Sequence, residues 1–241
     1  MFILSRPFLN IGPTLGRRLP AQPCVLCGMM SRNGLWCAGC DADLPYLDMP
    51  HCPVCALPTP SGEVCGHCLS DPPLYSHTTA VFAYGFPVDK LIQGMKYGGQ
   101  LVLAHAFAEK LAQRIAMAEL PDYMIAMPLH PAKLRERGFN QSQLIASALA
   151  HKMKLELLSR ACERVRDTPP QSSLKWKERR KNVRNAFVCN VDLTGKKVAL
   201  IDDVLTTGAS LNALARAVAS KGAVQISNWV VARTLPHADS R

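Results

Sequence analysis

The stretch that most constrains this chain is Val198-Ala-Leu-Ile-Asp-Asp-Val-Leu-Thr-Thr-Gly-Ala-Ser210. Val198 to Ile201 is an apolar run too short for a helix and suited to a buried parallel strand. It leads into two acids and a turn of small residues. The segment from Ser210 to Lys221 then places Leu211, Leu214, Ala215 and Val218 at helical spacing, predicting one buried face. In open α/β sheets ligands bind beyond the carboxyl ends of the strands, where a helix N-terminus offers backbone N–H groups and the positive end of its dipole. Thr206, Thr207, Gly208, Ala209 and Ser210 are therefore expected to wrap a phosphate. Asp202 and Asp203 would repel that phosphate, but they suit ribose hydroxyls or an Mg²⁺ that neutralises a pyrophosphate. A phosphate cradle beside two carboxylates asks for a phosphorylated sugar. An ordinary strand-turn-helix with exposed acids is the plainer alternative.

Leu200 to Ser210 resembles the phosphoribosyl-pyrophosphate (PRPP) signature of type I phosphoribosyltransferases, with Ser210 where the family usually has Thr. The resemblance implies an α/β fold, a phosphoribosyltransferase-like parallel sheet flanked by helices. It also implies that Asp202 and Asp203 carry the catalytic role and that PRPP binds with Mg²⁺. A Walker A loop is excluded, because no Gly-Lys-Ser/Thr follows at the required spacing.

A second pattern lies near the start. Cys24-x-x-Cys27, Cys37-x-x-Cys40, Cys52-x-x-Cys55 and Cys65-x-x-Cys68 form a duplicated unit. Facing Cys-x-x-Cys knuckles supply four thiolates in tetrahedral geometry, the donor set of structural Zn²⁺, and leave no open position for catalysis. So short a segment has little core of its own, so metal would supply most of its folding energy. The equal inner spacings favour one zinc on Cys24, Cys27, Cys37 and Cys40 and another on Cys52, Cys55, Cys65 and Cys68, although an interleaved pairing also satisfies the spacing. A thioredoxin-like redox pair would need a βαβ context around one knuckle. His51 and His67 adjoin ligands and are expected to point elsewhere. Trp36, Leu35 and Leu44 are expected to fill the small core.

The 241 residues accommodate one α/β domain and a small extra one. Residues 1–22 read as a lead-in, 23–72 as the cysteine-rich domain and 73–241 as the phosphoribosyltransferase-like domain, the boundary marked by Asp71-Pro72-Pro73. The N-terminal run, broken by Arg6 and Pro7, makes a poor signal peptide, and no stretch approaches a membrane span, so the cytoplasm is expected. Thiols there stay reduced, which favours metal over disulfides. The net charge of +10 favours phosphates, nucleotides or nucleic acid as partners. Much of the surplus lies between residues 130 and 190, with fourteen Lys or Arg against five Asp or Glu.

Thr78 to Tyr84 and Tyr123 to Met127 read as strands, Val88 to Tyr97 and Leu101 to Leu120 as helices, and Val224 to Ala232 as a closing strand. Lys96, before Tyr97-Gly98-Gly99, has no role that spacing can assign. From Pro128 to Gln141 the chain is unusual. Lys133, Arg135 and Arg137 alternate, so an extended loop would project all three to one side, where they would neutralise a pyrophosphate. Arg suits the task because its fork binds phosphate oxygens bidentately. Asn140 and Gln141 add neutral hydrogen-bonding groups, and Phe139 to Met153 reads as an amphipathic helix. Cys162 and Cys189 read as small buried hydrophobes.

Pro128-Leu-His-Pro131, then Arg137-Gly-Phe-Asn-Gln141, is similar to a signature of the ComF family of competence-associated, phosphoribosyltransferase-like proteins, which includes GntX-type DNA utilization proteins. So is Arg164-x-Arg166-x-Thr168-x-x-Gln171-x-x-Leu174 with Glu178-Arg179-x-x-Asn182-Val183 and Ala186-Phe187. The resemblance runs from about Cys24 to Arg233. A single four-cysteine module is the commoner form in that family, and this chain carries two. In phosphoribosyltransferases a mobile loop closes over the substrate and excludes water. Thr168 to Lys181, with Arg179, fits that role by composition, and an ordinary exposed loop and helix fits it too.

Two functions follow from these resemblances. One is a transferase acting on PRPP, with an unknown acceptor. Enzymes acting on 6-oxopurines carry an Asp at the position of Thr206, whose hydroxyl is no substitute as a proton acceptor, which argues against hypoxanthine or guanine. The other is a catalytically silent PRPP-sensing module in the uptake or use of DNA. Its basic face from His130 to Arg184 would track single-stranded DNA, with Trp176 or Phe139 as stacking faces, and its zinc knuckles would meet DNA or a helicase.

Overall fold

The computed structural model describes residues 21–32, 34–115, 120–166 and 185–236. They fall into two compact units that part between Leu44 and Pro45.

In the first unit, strands β1 (Gln22–Pro23) and β2 (Met30–Ser31) pair antiparallel. The Cys24 N–H donates to Met29 O at 2.7 Å, closing a tight turn between them. Gly28 makes that turn at φ +75, a left-handed value that glycine adopts without a Cβ penalty. Helix α1 (Ala38–Ala42) starts from Cys37, whose sulfur accepts from the Cys40 N–H. Trp36 and Leu44 are buried and Leu35 is half-buried.

The second unit opens along a sheet edge. Leu47 N–H donates to Val81 O, Ala83 N–H donates to Pro45 O, and Tyr46 lies opposite Phe82. The next knuckle repeats the bonding of the first: Cys52 N–H donates to Leu57 O at 2.7 Å and Ala56 N–H to Cys52 O at 2.8 Å. Ala56 takes the left-handed conformation, φ 57, that Gly28 takes in the first unit. For a residue with a Cβ this costs about 1–2 kcal/mol. Here the methyl group is fully buried in the core of the sheet, which offsets part of that cost. Helix α2 (Gly66–Ser70) follows.

The rest builds a parallel α/β layer from β3 (His77–Ala83), α3 (Val88–Tyr97), α4 (Leu103–Arg114), β4 (Tyr123–Ala126), α5 (Pro131–Arg137), α6 (Gln141–Met153), β5 (Glu156–Leu157), the hairpin strands β6 (Cys162–Arg164) and β7 (Phe187–Cys189), β8 (Lys197–Leu205), α7 (Ala209–Ala219) and β9 (Gln225–Arg233). The five-stranded sheet has the order β3-β9-β8-β4-β5, with every pair parallel. All its carboxyl ends therefore open on one edge, with β8 in the middle. Helix α4 packs on β3 and β9, and α6 packs on α4, β4 and β8, while α7 covers β8, β9 and the β6–β7 hairpin. Leu211, Leu214, Ala215 and Val218 of α7 join Val198, Leu200, Ile226 and Val230 in one core. Strands covered on both faces read as the near-continuous apolar runs seen in β8 and β9. A parallel sheet flanked by helices is what the sequence led us to expect.

Three local expectations are corrected. Strand β8 continues to Leu205, so Asp202 and Asp203 stand inside the strand and not in the turn after it. The pairing of β8 with β9 runs through Asp202 to Leu205, and that ladder extends the strand past the apolar run. Residues 131–137 form a helix and not an extended loop, because Pro131 occupies its first turn and Gly138, at φ 82, ends it. Helix α4 is shorter than expected, ending at Arg114 where Ile115 turns extended. Cys162 and Cys189 are buried and face each other across the hairpin. The expected closing loop Thr168 to Lys181, with Trp176 and Arg179, lies outside the described residues. Among the described residues no helix is long and apolar enough to cross a membrane.

Candidate functional site

At the open edge, the acids of β8 meet residues from two other segments, α6 and α3. Asp202 Oδ1 accepts from the Ser142 hydroxyl at 2.9 Å and from the Asp203 backbone N–H at 2.9 Å. Asp203 forms a close ion pair with Lys96, in the last turn of α3. Both carboxylates are buried. Burial, reinforced by the neighbouring Asp203 charge, pushes Asp202 up to about 8 against the opposing pull of Lys96 and its two hydrogen bonds. Burial by itself would lower Lys96, but the Asp203 carboxylate outweighs it and the ammonium is held above its usual value.

The Pro128 to Gln141 segment supplies the frame. The Asn140 side chain accepts from the Ser142 N–H at 3.0 Å, capping α6, and donates to Met127 O at 2.9 Å, at the end of β4. That bond fixes the start of α6 against the sheet and so delivers Ser142 to Asp202. Arg137, at the end of α5, stacks 5.1 Å over the Tyr97 ring and donates to Gln141 Oε1. The helical form of α5 therefore sorts the basic triad. Arg137 sits beside Lys96 and Tyr97, whereas Lys133 is paired with Glu136 at 2.7 Å and Arg135 is exposed.

The turn after β8 has the expected shape. Thr206 is exposed, Thr207 Oγ1 accepts from the Ala209 N–H at 3.4 Å, and Gly208, at φ +80, precedes α7, with Ser210 half-buried in its first turn. Glycine is required at 208 on a second count: a Cβ there would lie 2.7 Å from the Tyr75 hydroxyl. The turn is braced from behind by Arg233, the last residue of β9. Its buried guanidinium donates to Leu205 O at 3.0 Å and to Thr206 O.

The cysteines form two clusters, Cys24, Cys27, Cys37, Cys40 and Cys52, Cys55, Cys65, Cys68, with the ligand atoms of each within 4.8 Å of one another. The Sγ atoms of Cys27 and Cys37 are 3.7 Å apart, and those of Cys55 and Cys65 3.6 Å. The edge of a ZnS₄ tetrahedron with 2.3 Å bonds is about 3.8 Å. The thiols alone are in conflict. Although burial opposes ionisation, backbone hydrogen bonds bring Cys24 down to about 6 and Cys52 down to about 7, whereas sulfur neighbours drive Cys40 up and burial drives Cys68 up. A divalent cation resolves the conflict by taking four thiolates, so both groups fit zinc. His51 and His67 belong to neither cluster.

Asp202, Asp203 and the 206–210 turn stand out in the sequence pattern, and the structure brings the two acids, inside β8, to Ser142 and Lys96; Lys96 has no role that its spacing assigns, and Ser142, Tyr75 and Arg233 lie outside the pattern. Ser142 adjoins the motif at Asn140-Gln141. The other two carry no local pattern, since their partners are distant in the chain.

Comparison with known proteins finds a matching domain model and relatives along most of the chain. The double zinc ribbon domain model matches residues 17–69. DNA utilization protein YhgH of Escherichia coli O157:H7 is 34% identical over 221 residues, covering 88% of this chain and 97% of that protein. Competence protein F of Haemophilus influenzae is 31% identical over 214 residues, covering 85% and 92%. The crystal structure of a purine phosphoribosyltransferase from Pyrococcus horikoshii is 18% identical, covering 68% of this chain and 94% of that one, at a TM-score of 0.32.

Two zinc ions per chain are expected by elemental mass spectrometry, and Cys24→Ser/Cys27→Ser and Cys52→Ser/Cys55→Ser should each lose one. A single ion in the wild type would contradict the two-group assignment. Because Asp202 is raised in the folded chain from its ordinary value near 4, the native state holds a proton there that the unfolded state has shed. This component of stability is present below about pH 4 and lost as pH rises to about 8. Asp202→Asn, which keeps the acceptor oxygen, should therefore gain stability relative to the wild type between pH 5 and 8 in urea melts, and parallel profiles would refute it. Lys96→Met strands the Asp203 charge and should cost about 3–5 kcal/mol at pH 7 in the same melts.

Proposed function

Because this chain belongs to the family of DNA utilization protein YhgH and Competence protein F, we propose that it binds PRPP at the carboxyl edge of its sheet and serves the uptake or use of DNA. The observation that supports the reading is the pairing of a small-residue turn, Thr206 to Gly208 leading into Ala209 and Ser210 at the start of α7, with two buried acids on the strand before it. In this reading the turn and the N-terminus of α7 hold the 5′-phosphate. Asp202 and Asp203 take the ribose hydroxyls or the magnesium that accompanies the pyrophosphate, and Arg137 and Lys96 supply positive charge to the pyrophosphate. Lys133 and Arg135 on the exposed face of α5, and Arg179, are the further cations of this proposal. Magnesium contributes charge neutralisation of the leaving pyrophosphate. If a transfer occurs, a nitrogen acceptor attacks the anomeric carbon as that group departs.

A second reading, PRPP sensing without turnover, is favoured by Thr206. Its hydroxyl has too high a pKa to accept a proton from an attacking base, and no other described residue in the turn is a general base. Its basic surface and zinc groups would then contact single-stranded DNA or a helicase.

Calorimetry with PRPP and magnesium should give a micromolar dissociation constant, about 8 kcal/mol of binding free energy, for the wild type. Asp202→Asn/Asp203→Asn should abolish it, and no heat in the wild type would remove the reading. Pyrophosphate release on addition of a nitrogen acceptor separates transferase from sensor. DNA binding that weakens steeply with salt would support the nucleic-acid role.

A further inference from the structure

One buried side chain, Arg233, bonds both the second cysteine group and the turn after β8. Arg233 donates from Nε to the carbonyl of Cys55 at 2.7 Å, and from Nη1 to the carbonyls of Leu205 at 3.0 Å, Thr206 and Thr234 at 2.7 Å. The residue is 5% exposed. A guanidinium is planar, permanently charged and presents its donors in a fixed fork. Its acceptors come from a cysteine of the second group, from the turn after β8 and from Thr234, and the two hydrogens of Nη1 serve three carbonyls, so withdrawing Leu205 O and Thr206 O together would strand a buried donor.

The knuckle is fixed on its other side as well. The Thr78 hydroxyl donates to Val54 O at 2.6 Å and the Thr78 N–H to Pro53 O at 2.9 Å. The chain leaving the group then grips the ligand turn a second time. Leu74 N–H donates to Asn212 Oδ1 in α7 at 2.8 Å, and buried Tyr75 holds its hydroxyl 2.7 Å from where a Cβ on Gly208 would stand. Cys55 belongs to the zinc-fitting group, so metal coordination through its sulfur restrains the backbone that carries this carbonyl.

We propose that Arg233 is a positioning residue that couples the Cys52, Cys55, Cys65, Cys68 group to the 205–208 turn, so that metal at the first and a phosphate ligand at the second strengthen each other's binding. The ligand half of the proposal rests on reading the turn as a phosphate site. The coupling is reciprocal by linkage: whatever factor zinc adds to ligand affinity, ligand adds to zinc affinity.

Hydrogen exchange on the full-length chain tests it. In the wild type, chelating zinc should speed amide exchange in a peptide spanning 204–210 by about tenfold or more while β4 stays protected. PRPP with magnesium should slow zinc release to a chromogenic chelator by a similar factor. Arg233→Lys keeps the charge but lacks the fork. It should retain two zinc ions and a cooperative melt, yet show fast exchange at 204–210 with or without zinc and no effect of PRPP on zinc release. Unchanged exchange at 204–210 after chelation would overturn the proposal. So would an equal rise in β4, which would mean the metal holds the whole sheet and not this turn. The chelation arm uses only the wild type and stands if the variant fails to fold. Absence of PRPP binding by calorimetry would remove the phosphate reading and the ligand half, and the exchange arms would still decide whether Arg233 links metal to turn.

Discussion

Two adjacent carboxylates are buried at the end of the central strand, and much of the surrounding architecture answers that fact. Burying like charges side by side is unfavourable unless one is paired and the other is hydrogen-bonded or protonated. Asp203 has Lys96, delivered by the last turn of α3, and Asp202 has Ser142, delivered by the first turn of α6. Helix α6 packs on β8 and α3 reaches it through Lys96, yet both start more than fifty residues before it in the chain. The capping of α6 by Asn140 and its bond back to β4 are thus part of the electrostatics of Asp202, because they determine where Ser142 stands.

The duplicated cysteine unit shows how one motif serves two settings. Both knuckles close with the same backbone bonds and both place a left-handed residue directly after the second cysteine. In the first unit that residue is glycine and faces open space; in the second it is alanine, whose methyl roots the knuckle in the apolar core shared by α7 and β9. By spacing the two groups are twins. By packing, the second belongs with the sheet, since the compact units part between Leu44 and Pro45.

How much was legible in advance follows the range of the interactions. Helix α3 runs from Val88 to Tyr97 as its sequence pattern indicates, and the strand-turn-helix from β8 to α7 is recognisable from its composition, because both depend on neighbours in the chain. Each cysteine cluster likewise spans few residues. The α5 helix has its signals in the sequence, Pro131 in the first turn and Gly138 just past the end, and these terminators prevail over the alternation of charge that suggests an extended loop. Lys96 and Arg233 were beyond reach. A lysine near a helix end and an arginine ending a strand look ordinary until the order β3-β9-β8-β4-β5 places their partners beside them.

The residues Pro45 to Leu47 have a bearing on how this chain can be divided. They lie along β3, one outer strand of the sheet, and occupy backbone groups that would otherwise be open. The opposite outer strand, β5, is only two residues long and offers little to pair with. A fragment cut at the proline pair Pro72-Pro73 would keep all five strands yet uncover the outer edge of β3 at Thr78, Val81 and Ala83, a template for pairing between molecules. Self-association of such a fragment would therefore reflect the cut and say nothing of how the whole chain assembles.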